Sequence, residues 1–488
     1  MKRNINLPFL SALLLGLSRL PIHLGFVVFV AFIPLFFYFE THRTWKKLIF
    51  DSFKFSFTYL TVALHWISLV TFPGFIGMYF LYGLYFFIIF AFLKLTWRKP
   101  FRFLPLLCVW ISFELLQTMG EFRFPWLNIG YSLSDYLYLL QPAEIGGIYL
   151  LSAAIIVMNW LLFQAMKKKK FRLISLLFFM VWLGYGIIRY HTIQVRESGH
   201  SVAIVQVSIP QDLKWNEDFW EPTLELYREF TQKAAKQSDL VIYPESAIPQ
   251  YLKKNSYYQE LVRSWAEENK TAIFTGFLDY KYAPEEHPME HLFYNSATLF
   301  DSTKTDYPVY YKNILVPFGE RMPFLNLFPF LWKIQLGQAN FEYGDEQFLY
   351  PHHQYRFAPL ICFEIAYPHY LSKIAEKTDF FVNMTNDAWF KRSAGTYQHA
   401  MMTVMRAIET RTQIFRAANT GYSMIVSPSG KVLQKSKLYE KTILSEQVYV
   451  YSQKSIFTKY LSWFPFVFIF GAGMCFVNAG MKKTGKVR

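Results

Sequence analysis

Residues 359–364 read Pro-Leu-Ile-Cys-Phe-Glu, an apolar run that ends in a thiol and, two positions later, a carboxylate. A short apolar run bounded this way reads as a buried strand, and the end of a strand is where an α/β scaffold commonly presents reactive groups. Two other stretches repeat the pattern. Leu240-Val-Ile-Tyr-Pro-Glu-Ser246 ends an apolar strand in Glu245, with Pro244 fixing the backbone before it. Tyr310-Tyr-Lys-Asn-Ile-Leu-Val-Pro-Phe-Gly-Glu320 sets Lys312 among apolar residues and Glu320 eight positions on. Singly, each has an ordinary explanation: a cysteine fills a core, a glutamate caps a strand, a lysine lays its stem on apolar surface. Together they supply a nucleophile, a base and a cation.

That set suits acyl transfer. A thiolate attacks a carbonyl and leaves a thioester, dividing one difficult step into two. A free thiol is mostly protonated at neutral pH, so it needs a neighbouring base or cation. Glu245 can take the proton and return it to the leaving group, and Lys312 can hold the charge on the tetrahedral oxygen. There is no papain-type Cys-His motif, no cluster with metal-ligand spacing and no sign of a cofactor. Cys108 and Cys475 lie in apolar runs and Cys362 in a mixed region, so no disulfide framework is legible.

Around these stretches, from residue 196 to 452, strand-like and helical runs alternate. Strands are predicted at 201–207, 240–243, 272–275, 294–300, 355–362, 380–383, 413–417 and 422–427, and amphipathic helices at 218–237, 256–269 and 396–412. This is an α/β or α+β domain of about 250 residues, with no internal repeat.

The remainder is different in kind. The chain has 488 residues, of which 53% are hydrophobic, 20% aromatic and only 17% charged, with 51 Phe and 33 Tyr. Such composition excludes disorder and points to a membrane component. Apolar runs at 7–20, 24–39, 50–71, 74–97, 103–119, 145–166, 171–190 and 459–480 approach the ~20 residues a span requires. The first is not expected to be a cleaved signal peptide, because no suitable site follows and further spans come at once. Fifty Lys and Arg against thirty-five Asp and Glu give a net charge of +15. Taking the N-terminus as inside, the inner loops hold Lys2, Arg3, Arg43, Lys46, Lys47, Lys94, Arg98, Lys99, Arg102, Lys167, Lys168, Lys169, Lys170, Arg172, Lys482, Lys483, Lys486 and Arg488. The opposite short loops hold only Arg19 and Arg123. The excess is therefore a topology signal and not a nucleic-acid surface. It predicts seven spans in 1–195, an extracytoplasmic domain at 196–452, and a final span with a cytoplasmic tail at 453–488.

Glu, Lys and Cys in this order, each at a strand end, resemble the nitrilase (carbon-nitrogen hydrolase) superfamily; with seven spans before and one after, the chain is similar to the apolipoprotein N-acyltransferases. The supporting strings are Gln211-Asp-Leu-Lys-Trp215, Leu315 to Glu320, Thr385-Asn-Asp-Ala-Trp-Phe390, Arg406-Ala-Ile-Glu409, Arg416-Ala-Ala-Asn-Thr-Gly421 and Phe124 to Ser132. The resemblance implies an α-β-β-α sandwich at the outer face of the cytoplasmic membrane; a monomer is expected. It also implies acyl transfer from a phospholipid, through a thioester on Cys362, to the α-amino group of an apolipoprotein's diacylglyceryl-cysteine. Glu245 would be the base, Lys312 the oxyanion cation and Cys362 the nucleophile, with Glu320, Glu364, Trp215 and Trp389 matching further positions on which activity depends. Two departures stand out: Phe363 follows the nucleophile where Tyr is common, and Lys391 stands where Gly is frequent.

The competing reading is a membrane-tethered amidase that uses water as second acceptor; a catalytically dead scaffold is disfavoured by the intact Glu, Lys and Cys set. An acyl chain leaving the bilayer costs ~0.8 kcal/mol per CH₂ exposed to water, so an apolar path to Cys362 is expected. Met322-Pro-Phe-Leu-Asn-Leu-Phe-Pro-Phe-Leu-Trp332 is its candidate, as a loop or short helix dipping into the interface. Of the charges within the apolar runs, Asp51 and Lys54 lie near an edge and Glu114 is expected to be a buried, hydrogen-bonded acid.

Overall fold

The computed structural model describes residues 6–41, 43–97, 103–303, 306–334 and 340–484. Its strands are β1 (Arg196–Gln206), β2 (Leu240–Ile242), β3 (Ala272–Tyr282), β4 (His291–Phe300), β5 (Tyr310–Tyr311), β6 (Tyr350–His352), β7 (Tyr355–Ile361), β8 (Phe380–Thr385), β9 (Gln413–Ala418), β10 (Met424–Val426), β11 (Val432–Lys435) and β12 (Thr442–Val450). They form two six-stranded sheets, ordered β12-β1-β2-β3-β4-β5 and β11-β10-β9-β8-β7-β6. In each, the centre is parallel and the flanks antiparallel: β2 lies between β1 and β3, and β8 between β7 and β9. Strands covered on both faces carry continuous apolar runs, which is why Leu240-Val-Ile and Pro359-Leu-Ile read as they do.

The period-2 alternation of side chains divides these runs between layers. Ile204, Ile242 and Phe274 of the first sheet meet Phe357, Val382 and Phe415 of the second. On the other face of the first sheet, Ala203, Val241 and Ile273 pack with Leu224, Tyr227, Val262 and Trp265. On the other face of the second, Ala358, Leu360, Phe381 and Ile414 pack with Leu371, Val404, Met405 and Ile408. The result is a helix–sheet–sheet–helix sandwich, the nitrilase-like architecture.

The helices are α1 (Leu7–Leu17), α2 (Ile33–Phe39), α3 (Trp45–Leu64), α4 (Ile67–Val70), α5 (Phe72–Thr96), α6 (Phe103–Leu116), α7 (Leu137–Leu140), α8 (Ala143–Ala165), α9 (Lys170–Thr192), α10 (Trp220–Ala234), α11 (Ser256–Glu268), α12 (Pro368–Ala375), α13 (Ala394–Thr410) and α14 (Phe466–Thr484). Among the described residues only α5, α8 and α9 are long and apolar enough to cross a membrane, so the eight expected spans reduce to three there on this criterion; Leu7–Leu17, Gly25–Phe39, Phe103–Leu116 and Phe466–Ala479 are shorter apolar segments. The shortening has local causes. Run 24–39 opens with a 3₁₀ turn and restarts at Pro34; run 50–71 divides between α3 and α4; run 103–119 stops before Gly120, at φ +72°. Run 459–480 is divided between a π turn at Phe457–Leu461 and α14. Of the basic residues in the charge count, Lys2, Arg3, Arg98, Lys99, Arg102, Lys486 and Arg488 lie outside the described residues, as do the side chains of Lys482 and Lys483. Asp51 accepts from Tyr38 Oη (2.8 Å) and Lys47 Nζ (2.7 Å). Glu114 is a buried acceptor for Trp110 Nε1 (3.1 Å) and the Ile129 N–H (2.8 Å).

One helix joins the sandwich to the N-terminal helices. No residue of α13 is exposed, and its Gln398, Arg406 and Glu409 side chains bond to the N-terminal layer. Gln398 Oε1 accepts from the indoles of Trp66 (3.0 Å) and Trp126 (2.9 Å), while its Nε2 donates to the carbonyls of Arg19 and Ala63. Helix α8 breaks at Gly146–Gly147, with Gly147 at φ +65°. The Ile148 N–H just after the break donates to Glu409 Oε1 at 2.7 Å.

Candidate active site

Three loops that follow strands meet at one end of the sandwich. Glu245 follows β2, Lys312 follows β5, and Cys362 follows β7. Lys312 is buried, its Nζ 2.8 Å from Glu320 Oε1 and 3.9 Å from Glu245 Oε1. Asn295, on β4, donates its Nδ2 to Glu245 Oε1 (2.6 Å) and to Glu320 Oε1 (3.3 Å). The backbone N–H of Asn386 donates to Glu245 Oε2 at 2.7 Å, and that of Val316 to Glu320 Oε2 at 2.9 Å. Both carboxylates are thus fixed by donors before any substrate arrives. Cys362 sits at φ +50°, a left-handed conformation that is uncommon for a side-chain-bearing residue. It is half-buried, at the first position of a 3₁₀ turn.

Charge decides the resting protonation. Burial pushes the Cys362 thiol well above its ordinary value; the negative Glu245 adds to this, and the Lys312 ammonium opposes it. For Lys312, burial alone would favour the neutral amine, but the Glu320 and Glu245 carboxylates hold it firmly protonated. Two carboxylates around one ammonium leave a negative surplus, so a free thiolate is disfavoured. Moving the thiol proton to Glu245 keeps the total charge of the cluster constant, and the thiolate then forms beside the ammonium.

A second buried ionic cluster lies behind Cys362. Arg416 Nη2 pairs with Asp387 Oδ2 at 2.8 Å, and Asp387 Oδ1 lies 2.9 Å from His399 Nδ1. His399 Nε2 lies 3.3 Å from the carbonyl oxygen of Cys362. Burial disfavours a carboxylate, but Arg416 and His399 hold Asp387 well below the usual range; burial and Arg416 lower His399. This cluster holds the backbone of Cys362.

The other anticipated residues separate by task. Glu364 accepts from Tyr310 Oη (2.7 Å) and from the N–H groups of Asn313 (2.7 Å) and Ile361 (2.6 Å), so it pins the Lys312 loop to the Cys362 loop. Trp215 and Trp389 line a cavity of about 430 Å³ with Gln211, Tyr251, Phe293 and Trp332. Gln211 Oε1 accepts from Asn386 Nδ2 at 2.7 Å, which links this cavity to Glu245. The segment from Met322 to Trp332 divides: Trp332 is buried, with the Arg321 guanidinium 4.9 Å from its ring centre, whereas Leu327 and Phe330 are exposed. Phe324 packs edge-on against Phe122 at 5.4 Å.

Comparison with known proteins agrees over most of the chain. The carbon-nitrogen hydrolase family matches residues 201–452, and the apolipoprotein N-acyltransferase N-terminal domain matches 11–161. An apolipoprotein N-acyltransferase of Geobacter metallireducens is 33% identical over 396 residues, covering 78% of this chain and 74% of that one. Another, of Chlorobaculum tepidum, is 27% identical over 520 residues, covering 98% and 96%. The chain belongs to the apolipoprotein N-acyltransferase family. It is an acyltransferase of lipoprotein biosynthesis with a nitrilase-superfamily domain. Among solved structures, a CN-hydrolase superfamily protein of Xanthomonas campestris is 16% identical with a TM-score of 0.39, covering 51% of this chain and 90% of that one. That likeness is too loose to add to the fold read from the strands.

The two departures now have structural settings. Phe363 stacks on Phe124 (5.9 Å, 26°) and Trp126 (6.3 Å, 17°), an all-carbon use of the position that needs no hydroxyl. Lys391 adopts φ +50°, ψ −150°, a region nearly reserved for glycine. The loop keeps the glycine-type backbone, and the lysine bears the strain. Several site residues were not singled out by sequence reasoning. Asn295 sits in a strand with no motif around it. Lys214, whose Nζ donates to the Glu245 carbonyl at 3.0 Å, and Asp387 and Arg416 lie within quoted strings but without roles. His399 carries no sequence signal beyond its place on an amphipathic helix.

Proposed function

We propose that this protein transfers a fatty acyl chain from a membrane phospholipid to the α-amino group of the N-terminal S-diacylglyceryl-cysteine of apolipoproteins, through a thioester on Cys362. Glu245 takes the thiol proton as sulfur attacks the ester carbonyl, and the oxyanion forms beside Lys312 Nζ. Collapse expels the lysophospholipid alkoxide, which takes the proton from Glu245 and leaves the thioester. The acceptor amine then attacks the thioester, Glu245 receives its proton, and collapse releases the amide. The proton returns to the departing sulfur. Glu320 keeps Lys312 charged and placed, and Trp215 and Trp389 border the cavity in which substrate is received.

The carrying observation is the Glu245–Lys312–Glu320 cluster around a thiol whose ionisation both Glu245 and Lys312 influence. In this reading residues 1–195 form a membrane domain, 196–452 the catalytic domain on the extracytoplasmic face of the cytoplasmic membrane, and 453–488 a last span. Both termini are then cytoplasmic, and the enzyme works as a monomer. The asymmetry of Lys and Arg between alternate loops supports this orientation, and the exposed apolar side chains of α9, among them Leu173, Val181 and Ile188, support burial in lipid. The test is mass spectrometry of lipoprotein N-termini from cells whose only copy is wild type or Cys362→Ala. The amide-linked acyl group is expected in the first and absent in the second. Its persistence with Cys362→Ala would overturn the reading.

A further inference from the structure

At the opposite end of the sandwich from Cys362, three side chains distant in sequence meet. His200 lies on β1, Asp239 immediately precedes β2, and His353 occupies the turn between β6 and β7. β2 and β7 lead to Glu245 and Cys362 at their other ends, which places this group at the far edge of both sheets. His200 Nδ1 lies 2.7 Å and His353 Nε2 2.9 Å from the same oxygen, Asp239 Oδ2. The remaining oxygen, Oδ1, is 3.2 Å from the Ser201 N–H, which orients the carboxylate. The two imidazoles stack at 3.7 Å between centres. A second observation comes from His352: it is 5% exposed, its Nε2 has no hydrogen-bond partner among the described residues, and its ring centre is 4.8 Å from that of His353 and 5.8 Å from that of His200.

We propose that His200, Asp239 and His353 bind a divalent transition-metal ion of the zinc type, clamping the two sheets together at the end away from the thiol. Two imidazole nitrogens and one carboxylate oxygen are a donor set that Zn²⁺ accepts with water in the remaining position. The three ligand atoms lie within 4.8 Å of one another. Tetrahedral coordination at about 2.0–2.1 Å sets ligand atoms about 3.3 Å apart, so the two present contacts open by about half an ångström as the ion replaces the ring protons. The side chains are 24%, 31% and 46% exposed, so an ion reaches them from solvent. Because His200 and Asp239 belong to the first sheet and His353 to the second, the ion links the two layers.

The test uses the full chain in detergent, stripped of metal and carrying Cys362→Ala to remove the reactive thiol. It is titrated with ZnCl₂ against a chromophoric chelator while Tm is recorded. One Zn²⁺ per chain at micromolar affinity or better is expected, with a rise in Tm that EDTA reverses. His353→Asn, which tolerates the φ of +54° at that turn, and separately His200→Gln should each weaken binding at least tenfold and abolish the Tm rise. Binding that is equal in parent and variants, or no binding by the parent at micromolar Zn²⁺, would overturn the proposal.

Discussion

Two buried ionic clusters flank Cys362 and differ in one respect. Glu245, Lys312 and Glu320 hold two negative groups around one positive; Asp387, Arg416 and His399 pair their charges behind Cys362. In the proposed function the first has its proton inventory changed and restored, and its surplus charge keeps the thiol protonated until Glu245 accepts the proton. The second is arranged so that nothing changes: paired charge in a dry site holds a backbone in a conformation it would not otherwise keep. In that reading similar residue types do chemistry in one place and geometry in the other, according to charge balance.

The sharpest contrast is between one substitution in each cluster. Glu245→Gln keeps the Asn295 contact, gives up the one from the Asn386 N–H and removes the base, so turnover should fall about 10³-fold with only a small fall in Tm; a large drop in Tm would assign Glu245 to the structural class instead. Asp387→Asn leaves Arg416 buried without its counter-charge, a loss of about 3–5 kcal/mol. Thermal unfolding should therefore shift strongly as activity falls; an unaltered Tm would erase the distinction between the clusters.

Acid titration separates them more finely. Burial lowers His399 in the fold, so below about pH 6.5 the unfolded chain takes up a proton that the folded chain refuses. Stability then declines as pH falls through that window, by at most about 1.4 kcal/mol per pH unit, and does not depend on this group above it. Asp387, held below the usual range, loses its stabilisation only below its unfolded value near 4. His399→Gln should be less steep than wild type between pH 6.5 and 5, as read from Tm; equal slopes would show that His399 does not resist protonation. The smallest effect concerns the loop between the clusters. Lys391→Gly should raise stability by about 1 kcal/mol, since relief of a glycine-type backbone is of this order, and a lower Tm would show that the lysine side chain earns its place by contacts.

What could be read from sequence follows from these distinctions. β2 and β7 were legible because strands covered on both faces carry unbroken apolar runs, and their ends led to Glu245 and Cys362. β5 is two residues long and β12 has no continuous apolar run, so neither stood out. Lys312 and Glu320 were marked by polar character amid apolar residues. Asn295 and His399 were not, because an amide in a strand and a histidine on a helix acquire meaning only from partners supplied by distant segments. His200, Asp239 and His353 were invisible for the same reason. The apolar runs were found at the right places, but hydropathy averaged over a window does not register the turn at Gly25–Phe29 or the break between α3 and α4, which shorten the helices.

The central claim is that Cys362 carries the acyl group. Purified protein mixed with phospholipid vesicles, and no acceptor, should gain the mass of one fatty acyl chain, mapped to Cys362 and released by hydroxylamine, while Glu245→Gln gains none. An unmodified Cys362 under conditions in which added apolipoprotein is still N-acylated would contradict it.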